Sequence, residues 1–254
     1  MIFYFSGTGN SLYVAQKLHE DEGSELVDMA EALGKKYFNY EANIDEKIGF
    51  VFPVYFYGLP TVVFEFLENL NLKSKEKPFV YTVITCAGSI GNADKNLGKM
   101  LEEKNLELNS SFTVTMPNNY NIMSNLPDEQ KQSIILQNAE KEIDEIVKAL
   151  NEKTEGNFAK HGYFSLFTPI VYPLYGFYRH TKKFHATEDC NRCGSCQEMC
   201  PTGVIKMKNG IPTWTEEICS HCSACINRCP TQAIQYGNST IKRRRYVNPN
   251  VEFS

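Results

Sequence analysis

Eight of the nine cysteines in the 254-residue chain fall within one short stretch, at the spacing of thiolate ligands. Cys190, Cys193, Cys196 and Cys200 precede Pro201, and Cys219, Cys222, Cys225 and Cys229 precede Pro230, so the run C-x-x-C-x-x-C-x-x-x-C-P occurs twice, 29 residues apart. The repeat continues through Thr202 and Ile205 against Thr231 and Ile234. Three closely spaced cysteines on a tight loop reach three irons of one 4Fe-4S cubane. The fourth ligand must come from elsewhere, and in runs of this spacing the last cysteine serves the other cluster. Cys190, Cys193, Cys196 and Cys229 are therefore assigned to one cubane, and Cys219, Cys222, Cys225 and Cys200 to a second. Zinc is the alternative for any C-x-x-C knuckle, but zinc sites pair two knuckles across a longer gap, and a third cysteine before the proline fits them poorly. Val204, Ile205, Ala233 and Ile234 supply apolar cover of the kind that tunes a cluster. His221 lies between two of these cysteines and is read as solvent-facing or backbone-bonded.

A second candidate site lies at the N-terminus. Ser6-Gly7-Thr8-Gly9-Asn10-Ser11 sits between an apolar run, Ile2 to Phe5, and an expected helix. There, backbone N–H groups and a helix dipole can cradle an anion. The loop has no Lys or Arg, so it differs from G-x-x-x-x-G-K-[ST], and it does not match G-x-G-x-x-G. Hydroxyls and backbone without a counter-charge suit the terminal phosphate of a resident cofactor. Two more loops are expected on the same sheet edge: Pro53-Val54-Tyr55-Phe56-Tyr57-Gly58-Leu59-Pro60, with aromatic rings, and Thr85-Cys86-Ala87-Gly88-Ser89-Ile90-Gly91-Asn92, with small residues and free amides. Rings to stack on and amides to bond are what an isoalloxazine needs. Cys86 is read as a small buried strand-end residue, with a redox thiol beside a flavin as the alternative.

The elements that must position these residues follow from the pattern. Candidate strands at Ile2 to Phe5, Glu25 to Met29, Lys47 to Phe52, Phe79 to Thr85 and Ser111 to Thr115 alternate with helices near Ser11 to Glu20, Leu59 to Asn69, Gly91 to Asn105 and Asp128 to Glu152. The last helix is the clearest, opening after Pro127 with an apolar face of Ile134, Ile135, Ile143, Ile146, Val147 and Leu150. The expected fold class is α/β: a doubly wound five-stranded parallel sheet over residues 1–153, in the flavodoxin-like order 2-1-3-4-5. Residues 154–187 crowd Phe158, Tyr163, Phe164, Phe167, Tyr172, Tyr175, Phe177, Tyr178 and Phe184 around Pro169 and Pro173. They read as an aromatic strap between domains, with a lid over a cofactor or a sticky face for a partner or membrane surface as alternatives. Residues 188–237 form the small cysteine domain, and 238–254 a tail carrying Lys242-Arg243-Arg244-Arg245.

Charge and composition narrow the function classes. Residues 1–153 carry 14 Lys and Arg against 23 Asp and Glu, and residues 154–254 carry 12 against 7. Two clusters at about two negative charges each would bring the second half from +5 to about +1, leaving little electrostatic attraction between the halves. Four consecutive basic residues in a chain of pI 5.8 read as a solvated tail or a strap onto an acidic domain and not as a nucleic-acid grip. There is no export-signal pattern and no apolar run of the roughly 20 residues a membrane span needs, so the chain is expected to be cytoplasmic. Nine cysteines there point to metal ligation and not to disulfides.

Together, the loops from Phe5 to Ser11, Pro53 to Pro60 and Thr85 to Asn92 resemble flavodoxin-like FMN domains. Cys190 to Ile234 resembles a bacterial two-cluster ferredoxin. In this order they resemble the flavodoxin-ferredoxin fusion proteins of anaerobic bacteria and archaea. The resemblance implies FMN phosphate on Ser6, Thr8, Gly9, Asn10 and Ser11. It implies the flavin ring against Pro53, Val54, Tyr55, Phe56 and Gly58 and against Thr85, Cys86, Ala87, Gly88 and Gly91, with Tyr55 or Tyr57 as the stacking ring. The chain departs from many short-chain flavodoxins in lacking a Trp there, its only Trp being Trp214. The implied function is low-potential electron transfer between two 4Fe-4S clusters and FMN for a redox protein partner, a ferredoxin or a ferredoxin-dependent oxidoreductase; a homodimer is allowed. The alternative is a flavin-dependent reductase of a small organic acceptor, with Tyr55, Tyr57 or His180 as proton donor.

Overall fold

The computed structural model describes residues 1–216 and 218–253; the side chain of Phe164, one of the strap aromatics, lies outside the described residues. The first domain contains β1 (Ile2–Tyr4), α1 (Asn10–Glu22), β2 (Leu26–Asp28), α2 (Met29–Lys35), β3 (Asn39–Ala42), β4 (Lys47–Pro53) and α3 (Thr61–Asn69). It continues with β5 (Asn71–Ser74), β6 (Phe79–Cys86), α4 (Ala93–Glu102), β7 (Leu108–Thr115), α5 (Glu129–Asn151) and β8 (Gly156–Asn157). The main sheet is parallel in the order β2-β1-β4-β6-β7-β8. Its five principal strands thus run 2-1-3-4-5, the flavodoxin-like order, with β8 a two-residue addition at the edge.

The central strands are continuous apolar runs because helices cover both of their faces. Phe3, Phe50, Phe52 and Ile84 point into one core with Val62, Phe66 and Leu97. Ile2, Val51, Tyr81 and Val83 point into the other with Val14, Leu18, Ile143 and Ile146. The α5 helix starts where expected, with the Asp128 carboxylate accepting from the Lys131 N–H at 2.9 Å. Its buried face differs from expectation at the first turns: Ile134 is exposed, and Leu136 and Ala139 pack in its place. The α2 helix and the β3–β5 pair were not expected; β3 and β5 form a separate two-stranded parallel ribbon.

The middle of the strap is helical. A 3₁₀ turn (Tyr163–Phe167) runs directly into α6 (Thr168–Tyr178), which carries Pro169 in its first turn and Pro173 within it. The cysteine module follows as β9 (Phe184–Ala186), α7 (Ser195–Glu198), β10 (Ile205–Lys208), β11 (Ile211–Trp214), α8 (Ala224–Asn227) and β12 (Ile234–Tyr236). β9 pairs with β12, and β10 with β11, both antiparallel. No helix among the described residues is long and apolar enough to cross a membrane.

Candidate functional site

The sequence repeat is also a repeat of backbone. Arg192 and His221, Gly194 and Ser223, and Gly203 and Gln232 all adopt positive φ, from 53° to 83°, at matching positions of the two halves. Four of these six have a side chain, and each such residue held in the left-handed region costs about 1 kcal/mol or more. These turns place the cysteines around two small cavities. One is bordered by Cys190, Cys193, Cys196 and Cys229, the other by Cys200, Cys219, Cys222 and Cys225. The grouping is crossed, with the last cysteine of each run bordering the cavity of the other half.

Among the described residues, no group of three or more His, Cys, Asp or Glu side chains converges as for a single metal ion. Sulfurs ringed around a void suit the corners of a cubane. Polar hydrogens point at the sulfurs: the His221 N–H at Cys219 Sγ (3.4 Å) and the Ser195 hydroxyl at Cys193 Sγ (3.4 Å). The Thr202 and Thr231 hydroxyls lie 3.7 Å from Cys200 and Cys229 Sγ, the same offset in both halves. Such donors are the outer-shell contacts that tune a cluster. Burial pushes the Cys196 thiol up to about 11 and the Cys219 thiol up to about 12, so iron ligation there displaces protons. The donor set and its apolar cover fit two 4Fe-4S clusters.

His221 is buried rather than solvent-facing. Its Nε2 meets the His180 carbonyl at 3.2 Å and its Nδ1 the Tyr120 hydroxyl at 2.9 Å. That pattern assigns a neutral ring with Nε2 donating and Nδ1 accepting. Burial, the leading cause, pushes its pKa down to about 4.

At the C-terminal edge of the sheet lies a cavity of about 630 Å³. It is bordered by Pro53, Val54, Tyr55, Phe56 and Tyr57 from the loop after β4, and by Thr85, Cys86, Ala87, Gly88 and Ser89 from the loop after β6. Asn10 contributes from the start of α1, and Val171 and Tyr175 of α6 form a further wall. The Phe56-Tyr57 pair forms a two-residue turn closed by reciprocal Tyr55–Gly58 backbone bonds at 2.9 and 3.0 Å, with φ of 48° and 63°. Such turns favour Asn-Gly, so two aromatics here carry strain. Ring packing holds them: Phe56 stacks on Tyr175 at 5.4 Å and on Tyr178 at 6.0 Å. Tyr175 also donates to the Ser220 carbonyl at 2.7 Å, tying the strap to the cysteine module. Burial holds the Tyr55 hydroxyl far above its usual range. It also pushes the Cys86 thiol up to about 11, which keeps it protonated and favours the small-residue role over a redox thiol.

The expected ring-contact residues separate into two groups. Pro53, Val54, Tyr55, Phe56, Thr85, Cys86, Ala87 and Gly88 are brought together around the cavity. Gly58 and Gly91 instead receive the strap, for added Cβ atoms would meet the Tyr172 ring at 2.3 Å and Thr168 Oγ1 at 2.6 Å. The phosphate-loop residues also divide. Asn10 borders the cavity, whereas Ser6 borders a separate crevice shared by β1 and the cysteine module. Thr8, Gly9 and Ser11 are buried, and Ser11 Oγ lies 2.7 Å from Thr85 Oγ1, linking two of the three loops. The α1 helix begins at Gly9 (φ 97°) with no side-chain cap and no acid in its first turn, so its first amides have no competing anion.

What covers this loop was not expected. Tyr246 Oη donates to Asn10 Oδ1 at 2.7 Å and the Asn248 N–H to the Thr8 carbonyl at 2.8 Å. Val251 lies 2.6 Å from the place a Gly9 Cβ would take. The basic tail is indeed a strap, but it holds carbonyls and not acidic groups. Arg243 donates to the carbonyls of Asn121 and Ile122 at 2.8 and 2.6 Å, and Arg245 to that of Ile234 at 3.1 Å. Other cavity residues outside the expected set are Met116, Pro117, Asn118, Asn119, Tyr120 and Met123. Pro117-Asn118-Asn119 directly after a strand was the available signal, since ligand loops follow strand ends. His180, a candidate proton donor, is exposed and does not border the cavity.

Strand order and cysteine geometry together define a redox protein in which a flavodoxin-like α/β domain is joined to a 4Fe-4S dicluster domain. Residues 189–234 match the family model described as a 4Fe-4S dicluster domain. Solved structures similar to the chain include an FMN-dependent NADH-azoreductase from Bacillus anthracis in complex with FMN, at 13% identity over 59% of this chain and 98% of that one, TM-score 0.34. The Trp repressor binding protein from Bacillus subtilis is similar at 11% identity over 56% and 96%, TM-score 0.34. Rubredoxin oxygen:oxidoreductase from Desulfovibrio gigas is similar at 16% over 60% and 36%, TM-score 0.32. At such scores the fold assignment rests on the strand order alone. No curated protein sequence matches the chain.

Proposed function

We infer that this protein is an electron-transfer flavoprotein that holds FMN in the sheet-edge cavity and exchanges low-potential electrons between it and the two clusters. A ferredoxin or a ferredoxin-dependent oxidoreductase is its partner. One observation carries the reading: Cys222, a ligand of the second cluster, borders both the cluster cavity and the 630 Å³ cavity, and His221 beside it does the same. A protein wall one residue thick separates the two compartments. FMN, when bound, supplies the exchange between two-electron and one-electron chemistry.

The chain's own residues fit the flavin. Tyr55 and Phe56 offer ring faces, and Gly88 has open space beside its Cα. The uncapped amides at the start of α1 favour an anion at the phosphate end, and the tail from Tyr246 to Val251 closes over them, which makes the cofactor resident and not exchangeable.

The test is anaerobic reconstitution with iron, sulfide and FMN, followed by one-electron reduction. The expected result is one FMN per chain and bleaching of flavin and iron-sulfur absorbance together. In Cys225→Ser, flavin reduction by reduced ferredoxin should slow at least tenfold while FMN stays bound. Absence of FMN binding at stoichiometric concentration, or an undiminished rate in Cys225→Ser, overturns the reading. The cavity's size is that of a whole ligand site, which favours a second reading, reduction of a flat organic acceptor beside the flavin. Sustained turnover of a quinone or nitro compound would establish it.

A further inference from the structure

The inner side of the strap helix is accounted for by the cavity and the domain interface, but its outer side is not. Tyr163, Phe167, Ile170, Leu174 and Phe177 are all exposed, and Leu166 and Tyr178 flank them. From Phe167 to Phe177 their spacing alternates three and four residues, the seam pattern by which one helix packs along another, and Tyr163 extends the patch through the 3₁₀ turn. No charged residue occurs from Gly162 to Tyr178. A helix apolar on every side is buried on every side, and here the protein's own fold covers only one.

We propose that this face is the interface of a two-fold homodimer, with α6 and its 3₁₀ turn packed antiparallel against the same segment of a second copy. The face is complementary to itself. With Ile170 on the two-fold axis, Phe167 meets Leu174 and Tyr163 meets Phe177, so every ring or aliphatic chain lies opposite an apolar partner, as an isologous contact requires. The area also suffices. Tyr163, Phe167, Phe177 and Tyr178 are 94%, 53%, 72% and 56% exposed, which at roughly 200 Å² per aromatic side chain gives about 550 Å². Leu166, Ile170 and Leu174 bring the face close to the roughly 800 Å² per partner of a standard interface. Lys182 and Lys183 beyond the helix are exposed and lie outside the seam. The inner face of the same helix carries Val171 and Tyr175, so dimer formation would clamp a wall of the cavity in each copy.

The inference stands on exposure and spacing alone, and is independent of whether the cavity holds FMN. The anaerobically reconstituted full chain should sediment as a dimer at micromolar concentration. Ile170→Glu should weaken the dimer about thirtyfold or more, as for a central hot spot, with the 4Fe-4S absorbance per chain unchanged. A short thiol-specific cross-linker should join Ile170→Cys to itself; neither Phe167→Cys nor Leu174→Cys should self-link, but a mixture of the two should cross-link. A monomer at every concentration up to hundreds of micromolar overturns the proposal. So does a dimer indifferent to Ile170→Glu, or a monomer that floats with vesicles of equal parts phosphatidylcholine and phosphatidylglycerol.

Discussion

The dicluster module and the α/β domain reach order by opposite routes. In the module, eight cysteines at fixed spacing surround two cavities, and the apolar cluster beneath them is small, built from Ile122, Phe184, Val204, Ile205, Ile226 and Ile234 with Cys196. Four side-chain-bearing residues in the left-handed region, Arg192, His221, Ser223 and Gln232, oppose folding of so small a core. The α/β domain has two extensive cores, one on each side of its sheet, and its cavity is made of loop ends that contribute shape and backbone. A site built of ligands fails at one residue, whereas a site built of loops is buffered by the sheet beneath it. Small domains commonly need such staples because their cores alone are marginal.

The comparison can be broken most sharply by removing iron. Chelation of the reduced protein should abolish hydrogen-exchange protection through residues 184–240 while the main sheet stays protected; loss of both together would show a single cooperative unit. Next in size is the crossed ligation. Cys200→Ala should lose about half the iron, adding Cys219→Ala should cost little more, and adding Cys190→Ala should remove nearly all of it; the reverse ranking would show uncrossed runs. On the other side of the comparison, Phe50→Ala in the fully buried α/β core should cost about 3 to 5 kcal/mol of stability in denaturant melts with iron content per folded chain unchanged. Gly9→Ala, at φ 97° and against Val251, should cost about 1 to 3 kcal/mol. Release of the tail in that variant is detectable as new protease sensitivity after Tyr246. The smallest expected effect is Asp128→Ala, which removes the α5 cap for about 1 kcal/mol.

The same contrast decides what could be read from sequence. Cysteine spacing specified the crossed cavities because ligand geometry tolerates little variation. The five principal strands were legible because a doubly covered sheet demands strongly apolar runs such as Phe50 to Phe52. Ile134 was misplaced because the α5 face starts packing only at Leu136, and apolar character alone does not mark where a helix begins to be covered. Nothing local in Ser6 to Ser11 records the cover that arrives from Tyr246 to Val251. The left-handed Phe56-Tyr57 turn was equally hidden, since its residues are poor formers of that turn and are held there by Tyr175 and Tyr178.

The bond from Tyr246 to Asn10 spans 236 residues of chain, and that distance orders events during synthesis. The α/β domain is synthesised before this cover, so the loop from Ser6 to Ser11 stays open for as long as the dicluster segment is still being translated. The covering residues follow the dicluster segment, and Arg243 and Arg245 beside them are anchored on the carbonyls of Asn121, Ile122 and Ile234. The cover of the N-terminal loop is thereby coupled to the module: one of its anchors, Ile234, belongs to the dicluster segment, so a chain in which that segment fails to fold loses part of what holds Tyr246 against Asn10.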